Sequence, residues 1–148
     1  MSREIRTRVR LWNLADEVLA QRGIILSQEV RSVELEEAIV DTGAVRLVLN
    51  EELVQTLGLP QVGEIRVRYA DNRTARKRVA GQVAVEIMGR TGIFNAVIEE
   101  RGQPLIGMIV LEDLDLWPDP QRGILTTNPL SPDMPLYNLL RMKPCRPP

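Results

Sequence analysis

Apolar residues recur at every second position in one short stretch after another along this chain. Ile5, Thr7, Val9 and Leu11 alternate with Arg6, Arg8 and Arg10. Val33 and Leu35 alternate with Glu34 and Glu36, and Ile65, Val67 and Tyr69 with Arg66 and Arg68. Val83, Val85 and Ile87 keep the same period. Successive side chains of an extended backbone point to opposite faces, so this pattern gives strands with one buried and one wet side. The expected order continues with short strands at residues 38–40, 45–49, 74–79, 93–98 and 123–125. A kink or turn near Glu36-Glu37 leads into the strand at 38–40. Asp71-Asn72 and Gly89 to Gly92 mark hairpin turns.

Helical spacing is confined to brief segments. Leu14, Ala15, Val18 and Leu19 form one, ended by Gly23. Asn50 caps a second, with Glu51 and Glu52 in its first turn, an apolar stripe of Leu53, Val54 and Leu57, and Gly58 then Pro60 to stop it. Residues 108–114 suit a third, broken by Trp117-Pro118-Asp119-Pro120. At 148 residues and 44% hydrophobic content the chain can bury one core. With 3% aromatics, that core has to be Val, Ile, Leu and Ala.

Several function classes fall away on composition. The chain has no histidine, which removes Ser-His and Cys-His catalysis and most zinc sites. Its one cysteine, Cys145, cannot form an internal disulfide and has no base nearby, so it reads as an incidental thiol in a reducing compartment. Net charge is -1, which exerts no general pull on nucleic acid or acidic membranes. The arginines at 6, 8 and 10 lack interleaved aromatics for base stacking and read as a solvated strand face. No apolar run is long enough to cross a bilayer, and no signal peptide precedes the first strand. The expectation is a cytoplasmic protein with no metal, no cofactor, no nucleic-acid partner and no membrane partner. Asp113, Asp115 and Asp119 do not alter this, because the residues between them supply no loop of oxygen ligands.

What remains for chemistry is carboxylate, and one carboxylate stands out. Ala38-Ile39-Val40 delivers Asp41 into a Thr42-Gly43 turn followed by Ala44. Two facing carboxylates can share a proton, because like charges about 3 Å apart cannot both ionise; the pair is then acid and base together. Such a pair activates water and protonates a carbonyl without metal or covalent intermediate. Gly43 allows the sharp turn and leaves room for a substrate backbone. Ala44 adds no hydroxyl donor, so the pair is expected to work at milder pH than one with a serine there. On its own Asp-Thr-Gly is also an ordinary turn, and this chain holds a single copy of it.

The ordered context is more specific. Ala38 to Ala44, then Leu47-Val48-Leu49, then a helix ending Leu57-Gly58-Leu59, resembles the start of a retropepsin-like aspartic protease domain of the bacterial, particularly cyanobacterial, type. Tyr69-Ala70-Asp71-Asn72 sits where such domains carry the flap. The stretch from Gly81 to Gly89-Arg90 resembles the strand after it. Leu105-Ile106-Gly107 followed by Leu111 to Leu114 resembles the element that supports the active-site turn. The resemblance covers about residues 30–126.

It implies an all-β, closed-barrel fold with a flap hairpin and one or two short helices. It implies a homodimer in which each subunit gives one Asp41 to a shared site. Thr42 would cross-link the two turns and Gly43 would contact the substrate. Tyr69, Ala70, Asp71 and Asn72 would close over a peptide or protein substrate, and Leu105, Ile106 and Gly107 would support the turn. The expected activity is aspartic endopeptidase; the alternative is a peptide-binding or assembly module of the same fold with little turnover. Asn72 stands where such flaps commonly have glycine. Six cations line the hairpin (Arg66, Arg68, Arg73, Arg76, Lys77 and Arg78) and read either as a solvated edge or as a cleft that prefers acidic peptides. Residues 1–29 form an N-terminal extension outside the core resemblance, and residues 127–148 a proline-rich tail expected to be extended.

Overall fold

The computed structural model describes residues 4–139. Cys145, Pro144, Pro147, Pro148 and the rest of the tail's end lie outside the described residues, as do residues 1–3. Strand β1 (Ile5–Asn13) follows its sequence pattern: Ile5, Val9 and Leu11 are buried, while Arg6, Arg8 and Arg10 are exposed. Arg6 pairs with Glu4 and Arg8 with Glu34, so this wet face is largely neutralised. Asn13 ends the strand and caps helix α1 (Leu14–Gln21), its side chain accepting from the Asp16 N–H.

Strand β2 (Ser32–Val40) runs straight through Glu36-Glu37, where the sequence suggested a turn or kink. The pairing explains the signal. Thr7 faces Ala38 and Val9 faces Leu35, so two residues of β2 oppose the single Arg8. That is a β-bulge. It shifts the buried parity from Val33 and Leu35 to Ala38 and Val40 without ending the strand.

Strand β3 (Leu47–Asn50) leads into α2 (Glu51–Leu57), capped as expected by Asn50 and closed by Gly58 at φ 63°. Strands β4 (Gln61–Arg68) and β5 (Thr74–Ile87) make the flap hairpin. The two strands expected at 74–79 and 83–87 are one, interrupted only by an irregular register between Ala80 and Val83. The turn to β6 (Arg90–Glu99) is Met88-Gly89, with φ of 52° and 76° at its two residues. Two positive φ values match the twist of a two-residue hairpin, and this places the turn two residues earlier than its glycines suggest. Strand β7 (Leu105–Ile106) and helix α3 (Met108–Leu114) follow. The expected helix breaker at Trp117-Pro118 is itself a strand, β8 (Leu116–Asp119), which pairs with β9 (Ile124–Thr127).

The main sheet runs β1-β2-β7-β3-β6-β5-β4, and β1 also pairs with β5. Six strands therefore close into a ring, with β4 projecting from β5 beyond it. The fold is mainly β, with two short α-helices inside residues 30–126 and a third before them. Leu11, Leu47, Leu49, Val83, Val85 and Ile106 fill the interior, and Leu57, Leu111 and Leu114 pack onto it from the helices. Each such side chain contributes about 1.5–3 kcal/mol on burial.

Candidate active site

Val40 is buried and Asp41, the next residue, emerges half-buried at the end of β2. The turn that carries it is fixed from within and from outside. From within, the Ala44 N–H donates to the Asp41 carbonyl at 3.1 Å, and the Gly43 N–H to the Asp41 carboxylate at 2.8 Å. From outside, the Asp41 N–H donates to the Ile106 carbonyl at 3.0 Å. The Met108 and Ile109 N–H groups donate to the Ala44 and Val45 carbonyls, each at 2.9 Å. The first turn of α3 thus spends free N–H groups on the active-site turn.

Gly107 lies between these contacts because nothing larger fits. A Cβ there would come within 2.2 Å of the Arg46 carbonyl oxygen. Leu105-Ile106-Gly107 and Asp41 to Ala44 are therefore brought together by main-chain bonds across more than sixty residues of sequence.

Asp41 and Thr42 line a cavity of about 500 Å³ with Val40, Glu4, Ile5, Pro118 and Pro120. Glu4 is the other carboxylate in this cavity, but two Arg6 donors, Nε at 3.0 Å and Nη2 at 2.7 Å, hold it. Among the described residues the Asp41 carboxylate accepts a hydrogen bond only from its own turn. Thr42 is exposed.

The flap tip is built locally. Asn72 N–H donates to the Tyr69 carbonyl at 2.9 Å, Tyr69 N–H donates to the Arg73 carbonyl at 2.8 Å, and Asn72 sits at φ 67°. This is a three-residue loop closed by a left-handed residue, a position that asparagine tolerates better than most side chains. Asp71 accepts from the Arg73 backbone at 3.1 Å and pairs with its guanidinium. The Tyr69 hydroxyl donates to Glu99 at 3.0 Å, and the Lys77 ammonium meets the same carboxylate at 2.9 Å. That contact holds the Lys77 proton above the usual lysine range, with the tyrosine hydroxyl adding to it. Tyr69, Ala70, Asp71 and Asn72 are not among the residues lining the Asp41 cavity of this single chain.

Register sorts the flap charges. Ile65 faces Lys77 and Val67 faces Ala75, while Arg66 faces Arg76 and Glu64 faces Arg78. Side chains in register share a side, so Arg66, Arg68, Arg76 and Arg78 lie on one face and Ile65, Val67 and Lys77 on the other. Arg78 reaches Glu51 at the start of α2.

Two features near the site escape a reading of the sequence. Strand β8 and the turn after it bring Pro118 and Pro120 to the cavity wall. A polar junction behind α3 joins Arg90, Asp115 and Ser131. Arg90 is 5% exposed and donates to the carbonyls of Leu114, Asp115 and Ser131. The Asp115 carboxylate accepts from Ser131, from Asn128 at 2.9 Å and from the Leu136 N–H at 3.1 Å. These donors, chiefly the Ser131 hydroxyl, hold its carboxyl below the usual range. The partners are spread over more than forty residues, and no local spacing signals them.

A mainly-β ring that presents Asp-Thr-Gly on a turn braced by a hydrophobic-hydrophobic-Gly strand defines the acid-protease class of folds. Residues 28–110 match the model of the aspartyl protease family, over more than half of the chain. The chain belongs to that family, and to its retropepsin-like type. No curated protein matches the chain. Among the described residues, no helix is long and apolar enough to cross a membrane.

Proposed function

We propose that this protein is an aspartic endopeptidase that works as a homodimer, each subunit contributing one Asp41 to a shared site. The observation that carries the reading is the state of Asp41. Its backbone is braced on both sides, yet its carboxylate takes one bond from its own turn and faces an open cavity. A carboxylate held so firmly and satisfied so little suits proton transfer rather than packing. The chain carries one Asp-Thr-Gly, so a second copy must supply the other acid.

In the paired site one carboxylate is ionised and takes a proton from water as the oxygen attacks the peptide carbonyl. The other is protonated and gives its proton to the carbonyl oxygen. The resulting diol collapses with proton transfer to the nitrogen, releasing a carboxylic acid and an amine. The dyad supplies both proton-transfer roles, and the reaction calls for no redox step. The exposed Thr42 hydroxyl would bond across the two turns, and Gly43 would leave its backbone open to the substrate. The Tyr69 to Asn72 tip closes over the peptide. The single cysteine accords with work in the cytoplasm.

The test compares wild type with Asp41→Asn on a diverse peptide library, alongside sedimentation at micromolar concentration. Cleavage that depends on Asp41 in a dimer supports the reading. Equal background cleavage by both proteins, or a strict monomer that cleaves, overturns it. One observation favours a second reading, a peptide-binding or assembly module with little turnover. The Tyr69 and Lys77 contacts with Glu99 tie the flap back to its own subunit, and a flap that stays tied would bind without cleaving.

A further inference from the structure

The register that separates the flap charges also runs through the site. Ile39 of β2 faces Leu105 of β7, and Leu105 faces Val48 of β3. These three share one side of the sheet, while Val40, Ile106, Leu47 and Leu49 point into the core. Asp41 lies two residues beyond Ile39, and Arg46 two residues before Val48. The burial alternation from Arg46 to Asn50 keeps that parity, with Leu47 and Leu49 buried and the residues between them half-buried. Continued past the strand ends, the same parity puts Arg46 on the side of the sheet that carries Asp41; in the single chain Arg46 does not line the Asp41 cavity.

The row continues across Val97 and Val79 to the inner face of the flap hairpin, with Lys77, Ile65 and Val67. Glu99 lies two residues beyond Val97 on the same side. The charged groups along this side are Asp41, Arg46, Lys77 and Glu99, together with Arg6, which faces Ile39 in register and is held by Glu4. Lys77 and Glu99 neutralise each other. Arg46 has no ion pair or side-chain hydrogen bond among the described residues, and its backbone is pinned between Gly107 and the Ile109–Val45 bond. The four arginines of the hairpin's other face, Arg66, Arg68, Arg76 and Arg78, are turned away.

We propose that Arg46 sets the specificity of the cleft, selecting a peptide with an aspartate or glutamate side chain close to the scissile bond. The inference rests on the peptide-hydrolysing reading for its substrate. The physical warrant is a guanidinium unpaired among the described residues, on the same side of the sheet as the apolar Ile39, Leu105 and Val48. A carboxylate placed there gains a charge-assisted, two-pronged hydrogen bond. An amide of the same shape does not, and a cationic side chain is repelled.

The experiment has two arms. In the first, wild type digests a randomised octapeptide library and the cut sites are mapped by mass spectrometry. Asp and Glu are expected about tenfold enriched at one fixed position relative to the cut, an enrichment worth one charged hydrogen bond. Arg46→Lys retains part of it and Arg46→Gln loses it. Arg46→Glu inverts it toward Lys and Arg, a gain that a merely damaged protein cannot produce.

In the second arm, Asp41→Asn is exposed to the same library immobilised, and the retained peptides are sequenced with and without the added Arg46→Glu substitution. The acidic enrichment should invert here too, and should weaken between about 50 mM and 500 mM salt as ionic contacts are screened. Retained peptides that are the same with and without Arg46→Glu overturn the proposal whatever the cleavage arm gives. Loss of Asp41-dependent cleavage with the binding preference intact overturns the endopeptidase reading and leaves the assignment of Arg46 standing.

Discussion

Asp41 and Asp115 are two carboxylates at two bends of the same chain, and they are treated in opposite ways. Asp115 closes α3 at φ 55° and is surrounded by donors: the Ser131 hydroxyl, the Asn128 amide, the Leu136 N–H and the nearby Arg90 guanidinium. Asp41 receives a single bond from its own turn and looks into a cavity. The backbone is braced at both bends, around Asp41 through Ile106, Met108 and Ile109, and at Asp115 through Glu112, Asn128 and Arg90. The difference separates two tasks. Where a carboxylate holds structure, its oxygens are satisfied; in the role proposed for Asp41, the scaffold fixes the backbone and leaves the carboxylate one bond from its own turn.

The sharpest way to break this contrast is Asp41→Asn. The amide oxygen can still accept from the Gly43 N–H, so stability should change by less than about 0.5 kcal/mol in urea unfolding. On the proposed mechanism, peptide cleavage should fall by at least about 10³-fold in kcat/KM, because the group lost would act in proton transfer rather than binding. A large loss of stability would place Asp41 with Asp115 instead.

Gly107→Ala attacks the bracing. Its Cβ would press on the Arg46 backbone, which cannot yield as a flexible side chain would. A loss of about 2–3 kcal/mol is expected in urea unfolding, with activity falling alongside it. Little change would mean that the turn is not clamped.

Arg90→Met tests the other side. Three carbonyls lose the Arg90 donor, with the Asp115 carbonyl keeping the Asn128 N–H, and stability should fall by about 1–3 kcal/mol for the groups left unsatisfied, while the cleavage pattern of the remaining folded protein is unchanged. A shift in cut sites would show that the junction reaches the cleft.

The smallest effect is in pH. The Asp115 and Asp16 carboxyls titrate below the usual range in the folded protein, Asp115 through its hydroxyl and amide donors and Asp16 through Arg31. Their contribution is therefore complete above the unfolded value of about 3.9 and is lost as pH falls through the lower folded values. The part of thermal stability that these two groups supply should be flat from about pH 7 to about pH 5 and decline below about pH 4. Asp115→Asn should flatten part of that decline, which calorimetry across pH would record.

Much of the fold was legible because its signals are local. Asn50 and Gly58 bound α2 where capping chemistry puts them, and period-two stretches became strands. Register and partnership were not legible. Glu36-Glu37 interrupts the alternation as a turn would, and only the opposing Arg8 shows it to be a bulge. Pro118 breaks a helix and equally suits a short strand beside β9. In the site, Asp41 and its turn were visible as a motif, and Leu105-Ile106-Gly107 as its support through resemblance. Arg46 was not singled out, because nothing before the register distinguishes it from the cations of the flap. Four of the flap arginines were conspicuous in sequence and face away.

One feature reaches further than the site. Strand β1 is both the seam between β2 and β5 and a wall of the Asp41 cavity through Ile5. It also precedes residue 28, where the family match begins. Trimming the chain to its recognisable part would remove a stave of the cask: β2 and β5 would be left as raw, adhesive edges, and the resulting fragment should aggregate rather than fold. The boundary of resemblance is not the boundary of cooperativity.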